Sequence, residues 1–181
     1  MRRSMAFGLA VVAAAVLATA SRAGAGDPGF ELDLDTTRNE LRARDVRSGE
    51  LGPVLRVAIG SPAHPTPMGR FRMGRVIFRP TWQPGGFALD AGAEREAASI
   101  DSPMGVAKIP FANNGAIALH GGGDPDVLGK PVSGGCVRMA DADLLRLIAW
   151  FELQGALAPP RSEASGEVIR DLWRTVRFRV H

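Results

Sequence analysis

Ala118-Leu119-His120-Gly121-Gly122-Gly123-Asp124-Pro125-Asp126 leads, through further turn formers, into Ser133-Gly134-Gly135-Cys136-Val137-Arg138-Met139. Ile117 to His120 reads as a short strand that ends on an imidazole. The glycine-rich loop after it permits the chain to double back sharply, so His120 and Cys136 can meet at one edge of a sheet. A thiol is a strong nucleophile only as thiolate, and a neighbouring base or positive charge favours that form. His120 is the candidate base for Cys136. Gly134 and Gly135 have no Cβ, so their N–H groups can approach a substrate oxyanion, and Ser133 to Cys136 reads as an oxyanion-hole turn.

Outward from this stretch, the chain alternates polar and apolar residues in short runs separated by turns. Glu31–Asp35, Glu40–Asp45, Pro53–Ile59, Gly69–Phe78, Val106–Phe111 and Ala116–His120 all read as strands, with a bulge expected at Gly74. Asp141 is a candidate N-cap for one helix over Ala142–Gln154, whose Leu144, Leu147, Ile148 and Phe151 share an apolar face. Val168–Val180 reads as a helix plus strand or as a long edge strand. Residues 79–102 are too rich in Pro, Gly and Ala to place and suit a lid or insertion beside the site. The expectation is a mainly β domain with one substantial helix after the cysteine.

The first residues have a different character. Met1-Arg2-Arg3, the apolar run Met5–Leu17 and the small-residue sites at Ala18-Thr19-Ala20 and Ala23-Gly24-Ala25 predict a signal peptide over residues 1–25. An uncleaved anchor is the alternative, although the run is shorter than the roughly 20 residues of a spanning helix. The formal charge of +3 comes from Arg2, Arg3 and Arg22, which leaves residues 26–181 formally neutral. That balance, with arginines interleaved among apolar residues, argues against a nucleic-acid footprint. A single domain is expected over 26–181, its core at about 30–155 and a C-terminal extension at 156–181. Cys136 is the only cysteine, so in an oxidising compartment it is a buried inert thiol, one awaiting an intermolecular partner, or a reactive one.

Taken together, His120-Gly121 and Ser133-Gly134-Gly135-Cys136-Val137-Arg138-Met139 resemble the signature of L,D-transpeptidases of the YkuD type. Upstream, Pro65-Thr66-Pro67-Met68-Gly69-Arg70-Phe71 is similar to the family's Thr-Pro-x-Gly-x-Phe, and Arg79-Pro80-Thr81-Trp82 to its Asn-Pro-x-Trp. The resemblance implies a β-sandwich or barrel with Cys136 as nucleophile, His120 as base and the Gly121 carbonyl orienting the imidazole. It also implies substrate-side roles for Ser133, Gly134, Gly135 and Arg138. Arg138 has a competing structural role, tying down carbonyls or Asp141. The family carries a histidine where this chain has Gly134.

The implied function is acyl transfer on peptidoglycan stem peptides outside the cytoplasm, through a thioester on Cys136. Hydrolysis or carboxypeptidase action at the same site, a catalytically weakened wall-binding module, and a structural domain with an inert thiol are the alternatives. No cofactor or metal is implied: Asp124 and Asp126 flank Pro125 and have no second nearby histidine. No nucleic acid and no membrane span after signal cleavage are expected, and the oligomeric state is left open.

Overall fold

The computed structural model describes residues 28–83 and 96–181. The expected signal peptide, and residues 84–95 of the expected lid, lie outside the described residues. The elements run β1 (Pro28–Asp35), β2 (Glu40–Asp45), β3 (Leu51–Arg56), β4 (Ile59–Gly60), β5 (Gly69–Phe78) and β6 (Ala107–Ala112). A 3-10 turn (Asn113–Gly115), β7 (Ile117–His120), β8 (Pro131–Ser133), β9 (Val137–Arg138), α1 (Asp141–Leu153), β10 (Arg161–Ser162) and β11 (Val168–Val180) follow. The main sheet has the order β3-β2-β1-β11-β5-β6-β7-β9, with β10 paired to β11, while β4 and β8 form a separate parallel pair.

The alternation in the sequence decides which face of this sheet is dry. Leu32 and Leu34 of β1, Leu41 and Ala43 of β2, and Val176, Phe178 and Val180 of β11 all turn to one core. Helix α1 lays Leu144, Leu147, Ile148, Trp150 and Phe151 against the same core. Each fully buried Leu or Phe contributes roughly 1.5–3 kcal/mol, so this continuous cluster is the main stabilising term. Two aromatic groups give it shape: Phe30 meets Trp150 and Phe151 edge-on, each at 5.2 Å, and Phe111 meets Phe71 and Phe178 at 5.1 and 4.8 Å.

The fold is mainly β with one substantial helix, as the sequence leads one to expect, and several local expectations are corrected. β11 is not an edge strand: it lies between β1, which it pairs in parallel, and β5, which it pairs antiparallel. Residues beyond 155 are therefore part of the core rather than an extension of it. The run Pro53–Ile59 divides into β3 and β4, because Ala58 leaves the β2 ladder to exchange backbone hydrogen bonds with Arg138, both 2.8 Å. The irregularity expected at Gly74 lies opposite it, in a register shift between Asp171 and Val176 of β11. In addition, Ala140 rather than Asp141 is the N-cap of α1, with no side-chain capping bond.

One buried ion pair pins β11 to the β2 turn. Arg174 donates to both carboxylate oxygens of Asp45, at 2.9 and 2.8 Å, and to the Gly29 carbonyl at 3.1 Å. Its guanidinium lies 4.2 Å from the Phe30 ring centroid. Asp45 is 2% exposed, and Arg174, with the backbone N–H groups of Arg47 and Ser48, holds its carboxyl below the usual carboxylate value. Deleting one partner of a buried pair strands the other, so Arg174→Met is expected to cost about 3–5 kcal/mol in denaturant unfolding at neutral pH. A depressed carboxyl contributes stability above its unfolded pKa and loses it as pH falls, so the wild-type advantage should shrink below about pH 4.

Candidate active site

Three short strands bring the sequence motifs together. β7 pairs with β9 in parallel, Leu119 against Val137 and His120 against Arg138. β6 pairs with β7 antiparallel, Lys108 directly opposite His120. Leu119, Val137 and Ile109 fill the core at 0% exposure, so the alternating residues Lys108, His120 and Arg138 share the other face. Cys136 stands immediately before β9, close enough to Arg138 and Lys108 to feel both charges.

His120 is 2% exposed. Its Nδ1–H donates to the Gly121 carbonyl at 2.7 Å, the tautomer that leaves Nε2 without the proton. Burial lowers its pKa to about 4, and the positive charges of Arg138 and Lys108 push the same way against the backbone bonds to Gly121 and Met104. The imidazole is therefore neutral at neutral pH. The turn after it is held by Asp141, whose Oδ1 accepts the N–H of Gly122 at 3.0 Å and of Val106 at 3.1 Å. A Cβ at Gly121 would stand 1.9 Å from that oxygen, so any other residue there would push the carboxylate off the N–H groups it holds. This is the role of Asp141 in place of the expected N-cap.

The turn before the thiol is closed by its own serine. Ser133 Oγ donates to the Cys136 carbonyl at 2.5 Å and accepts the Gly135 N–H at 3.2 Å. That second bond engages one of the two N–H groups expected to face an oxyanion. Gly135 has φ +110°, in the region that favours glycine, whereas Gly134 is not among the residues of positive φ. The thiol is half-buried, and its Sγ lies 3.8 Å from the Ala116 carbonyl. Burial raises the Cys136 pKa, opposed by a backbone hydrogen bond from Ala118 and by the charges of Arg138 and Lys108. The described hydrogen bonds of His120 and Cys136 do not join the two side chains to each other.

Two cations complete this face. Arg138 has no acidic partner among the described residues, and its Nε is buried without a hydrogen bond; the expected tie to Asp141 is not formed. In sequence, Lys108 reads as one more solvent-facing residue of an alternating strand. Its Nζ donates to the Thr81 carbonyl at 3.1 Å and lies 3.8 Å from Glu167, while burial lowers its pKa. Glu167 in turn accepts from the Thr81 N–H and hydroxyl at 2.8 and 2.9 Å, which docks the Arg79-Pro80-Thr81-Trp82 segment against β11. The position of Lys108 opposite His120 is the signal that identifies it, and only strand pairing supplies it. Asp124 forms a local turn with the Asp126 N–H at 2.9 Å, and no group of three or more potential metal ligands occurs among the described residues.

The L,D-transpeptidase catalytic-domain family, YkuD, matches residues 31–162. L,D-transpeptidase 3 from Mycobacterium tuberculosis is similar in structure, with 15% identity, TM-score 0.50, and coverage of 84% of this chain and 61% of that one. The same enzyme with a faropenem-derived adduct aligns at 16% identity and TM-score 0.49, over 84% of this chain and 60% of that one. An L,D-transpeptidase from Mycobacterium smegmatis aligns at 15% identity and TM-score 0.49, over 84% and 59%. The chain thus spans less than two thirds of the length of these structures. No curated protein matches it. The family match runs from within β1 to the end of β10 and takes in every strand that builds the Cys136 face, so this chain belongs to the YkuD family of L,D-transpeptidase catalytic domains.

Proposed function

We propose that this protein is an exported peptidoglycan L,D-transpeptidase that works through a thioester on Cys136. The observation that carries the reading is the strand register that puts His120, Lys108 and Arg138 on one face, with Cys136 immediately before β9 and the His120 Nδ1–H held by Gly121. The thiol turns from the Ala116 carbonyl toward Nε2, and neutral His120 takes its proton as sulfur attacks the carbonyl of the third stem residue. The C–N bond to the terminal D-amino acid breaks, and the imidazolium returns the proton to the departing amine. An amine of a neighbouring stem then attacks the thioester and releases the thiol; water in its place gives a carboxypeptidase.

The residues divide the work by charge. Lys108 and Arg138 favour a thiolate and disfavour an imidazolium, so the pair rests neutral and separates charge only during attack. The N–H groups of Gly134 and Cys136 are the oxyanion donors assigned here, since Gly135 donates to Ser133. Arg138, with no acidic partner among the described residues, suits a stem carboxylate.

Intact-mass measurement after incubation with a carbapenem is expected to show one adduct, absent from Cys136→Ala; an unmodified wild type would end the acyl-transfer reading. Attack on the drug should fall as pH drops through about 4, where His120 protonates, and this limb should vanish in His120→Gln. Lys108→Met is expected to raise the thiol pKa and slow iodoacetamide alkylation at neutral pH roughly tenfold, with Lys108→Arg restoring it. Gly134→His should fold and should raise or preserve the acylation rate, because position 134 does not use a left-handed backbone; a folded but inert variant would contradict this.

A further inference from the structure

β5 and β6 are neighbours in the main sheet, yet they pair only at Ile77 with Lys108 and Phe78 with Ala107. Beyond those two pairs they part. From Gly69 to Val76 on β5 and from Ile109 to Ala112 on β6, the facing edges pair with no strand among the described residues. The opposite edges pair with β11 and β7, interrupted only by register shifts at Gly74 and Phe111. The wedge holds a cavity of about 710 Å³, floored by Phe71 and Phe111 and walled by Arg72, Arg75, Asn113 and Asn114. That volume falls within the usual range for a ligand site.

Its charge is unbalanced. Arg72 stands directly opposite Arg177 of β11, and Arg70 opposite Arg179, an arrangement of like charges that destabilises a sheet. Asp33 bonds Arg179 and Asp171 bonds Arg161, whereas Arg72 and Arg75 have no ion pair among the described residues. The register partner of Arg75 is that same Asp171, already engaged. The wedge also leads to the thiol: the wall Asn113–Gly115 continues into Ala116, whose carbonyl lies 3.8 Å from Cys136 Sγ.

We infer that the β5–β6 wedge is a binding site for an extended peptide bearing carboxylates, which adds as a strand to the open edge of β5 and places its acidic groups against Arg72 and Arg75. Open strand edges recruit an extended backbone through main-chain hydrogen bonds. Guanidinium groups without acids select carboxylates on it. That the peptide is a peptidoglycan stem rests on the acyl-transfer reading of Cys136; the site itself rests on the wedge.

The test uses full-length Cys136→Ala protein, which cannot turn over. It is titrated by calorimetry at low salt with a synthetic stem tetrapeptide and with the same peptide fully amidated. The acidic peptide should bind, and amidation or the double change Arg72→Gln/Arg75→Gln should each weaken it roughly tenfold or more. Arg42→Gln, on distant β2, should bind as the parent does. Hydrogen exchange should show slowed amides within Gly69–Val76 on peptide addition, a readout of strand addition that does not depend on any substitution. Equal binding by the double variant, or unaltered exchange along β5, overturns the inference. Binding of inorganic polyphosphate with none of the peptide also overturns it, in favour of a general polyanion surface. A carbapenem adduct on wild type together with absent peptide binding defeats the wedge alone; arginine-dependent binding without an adduct defeats the acyl-transfer reading alone.

Discussion

The parallel pairing of β7 with β9 joins only Leu119 with Val137 and His120 with Arg138, and the arrangement of the site depends on it. Between those strands lies a loop rich in glycine, which is itself tied down by the pairing of β8 with β4 and by the Gly123 N–H bond to the Met139 carbonyl. The ladder sets His120 level with Arg138, and the Ser133 turn carries that height on to the thiol. The ladder is in turn buttressed on both sides: Ala58 exchanges two backbone bonds with Arg138, and the Asp141 carboxylate gathers the N–H groups of Gly122 and Val106 at the head of α1. A core helix, a neighbouring strand and a loop glycine therefore converge on the backbone just beyond His120.

The electrostatics follow from burial rather than from an ion pair. A thiolate facing an imidazolium would require each to lower the cost of the other's charge, and here desolvation works against both charged forms. The cations on the same face bias the thiol without adding an acid that could lock the imidazole in its protonated state. A backbone carbonyl suffices to orient the ring, because it fixes a tautomer and leaves the basicity of the other nitrogen to the local field.

Much of this was legible in the sequence because it is local. The alternation of Leu32, Leu34, Leu41 and Ala43, the apolar face of α1, and the glycines around His120 and Cys136 carry their structural meaning within a few residues. What escaped is what pairing between distant strands creates. Lys108 joins the site only because β6 places it opposite His120. Asp141 looks like a helix cap until the β6 entry and the His120 turn are folded next to it. The arginines of β11, Arg170, Arg174, Arg177 and Arg179, resemble a solvent edge, yet Val176, Phe178 and Val180 fill the centre of the core.

The central place of β11 also sets the order in which the molecule can assemble. The Arg179–Asp33 contact between β11 and β1 spans 146 residues, and such long-range pairing is slow because loop closure precedes any gain from contact. Until Val168–Val180 has left the ribosome, β1 and β5 each present an open edge and the core lacks three of its inward side chains. An incomplete chain is thus held away from the native state by topology alone. During that delay the two exposed edges are the places where an incomplete chain can pair wrongly, so the strand order that completes the core last also leaves its longest strands open longest.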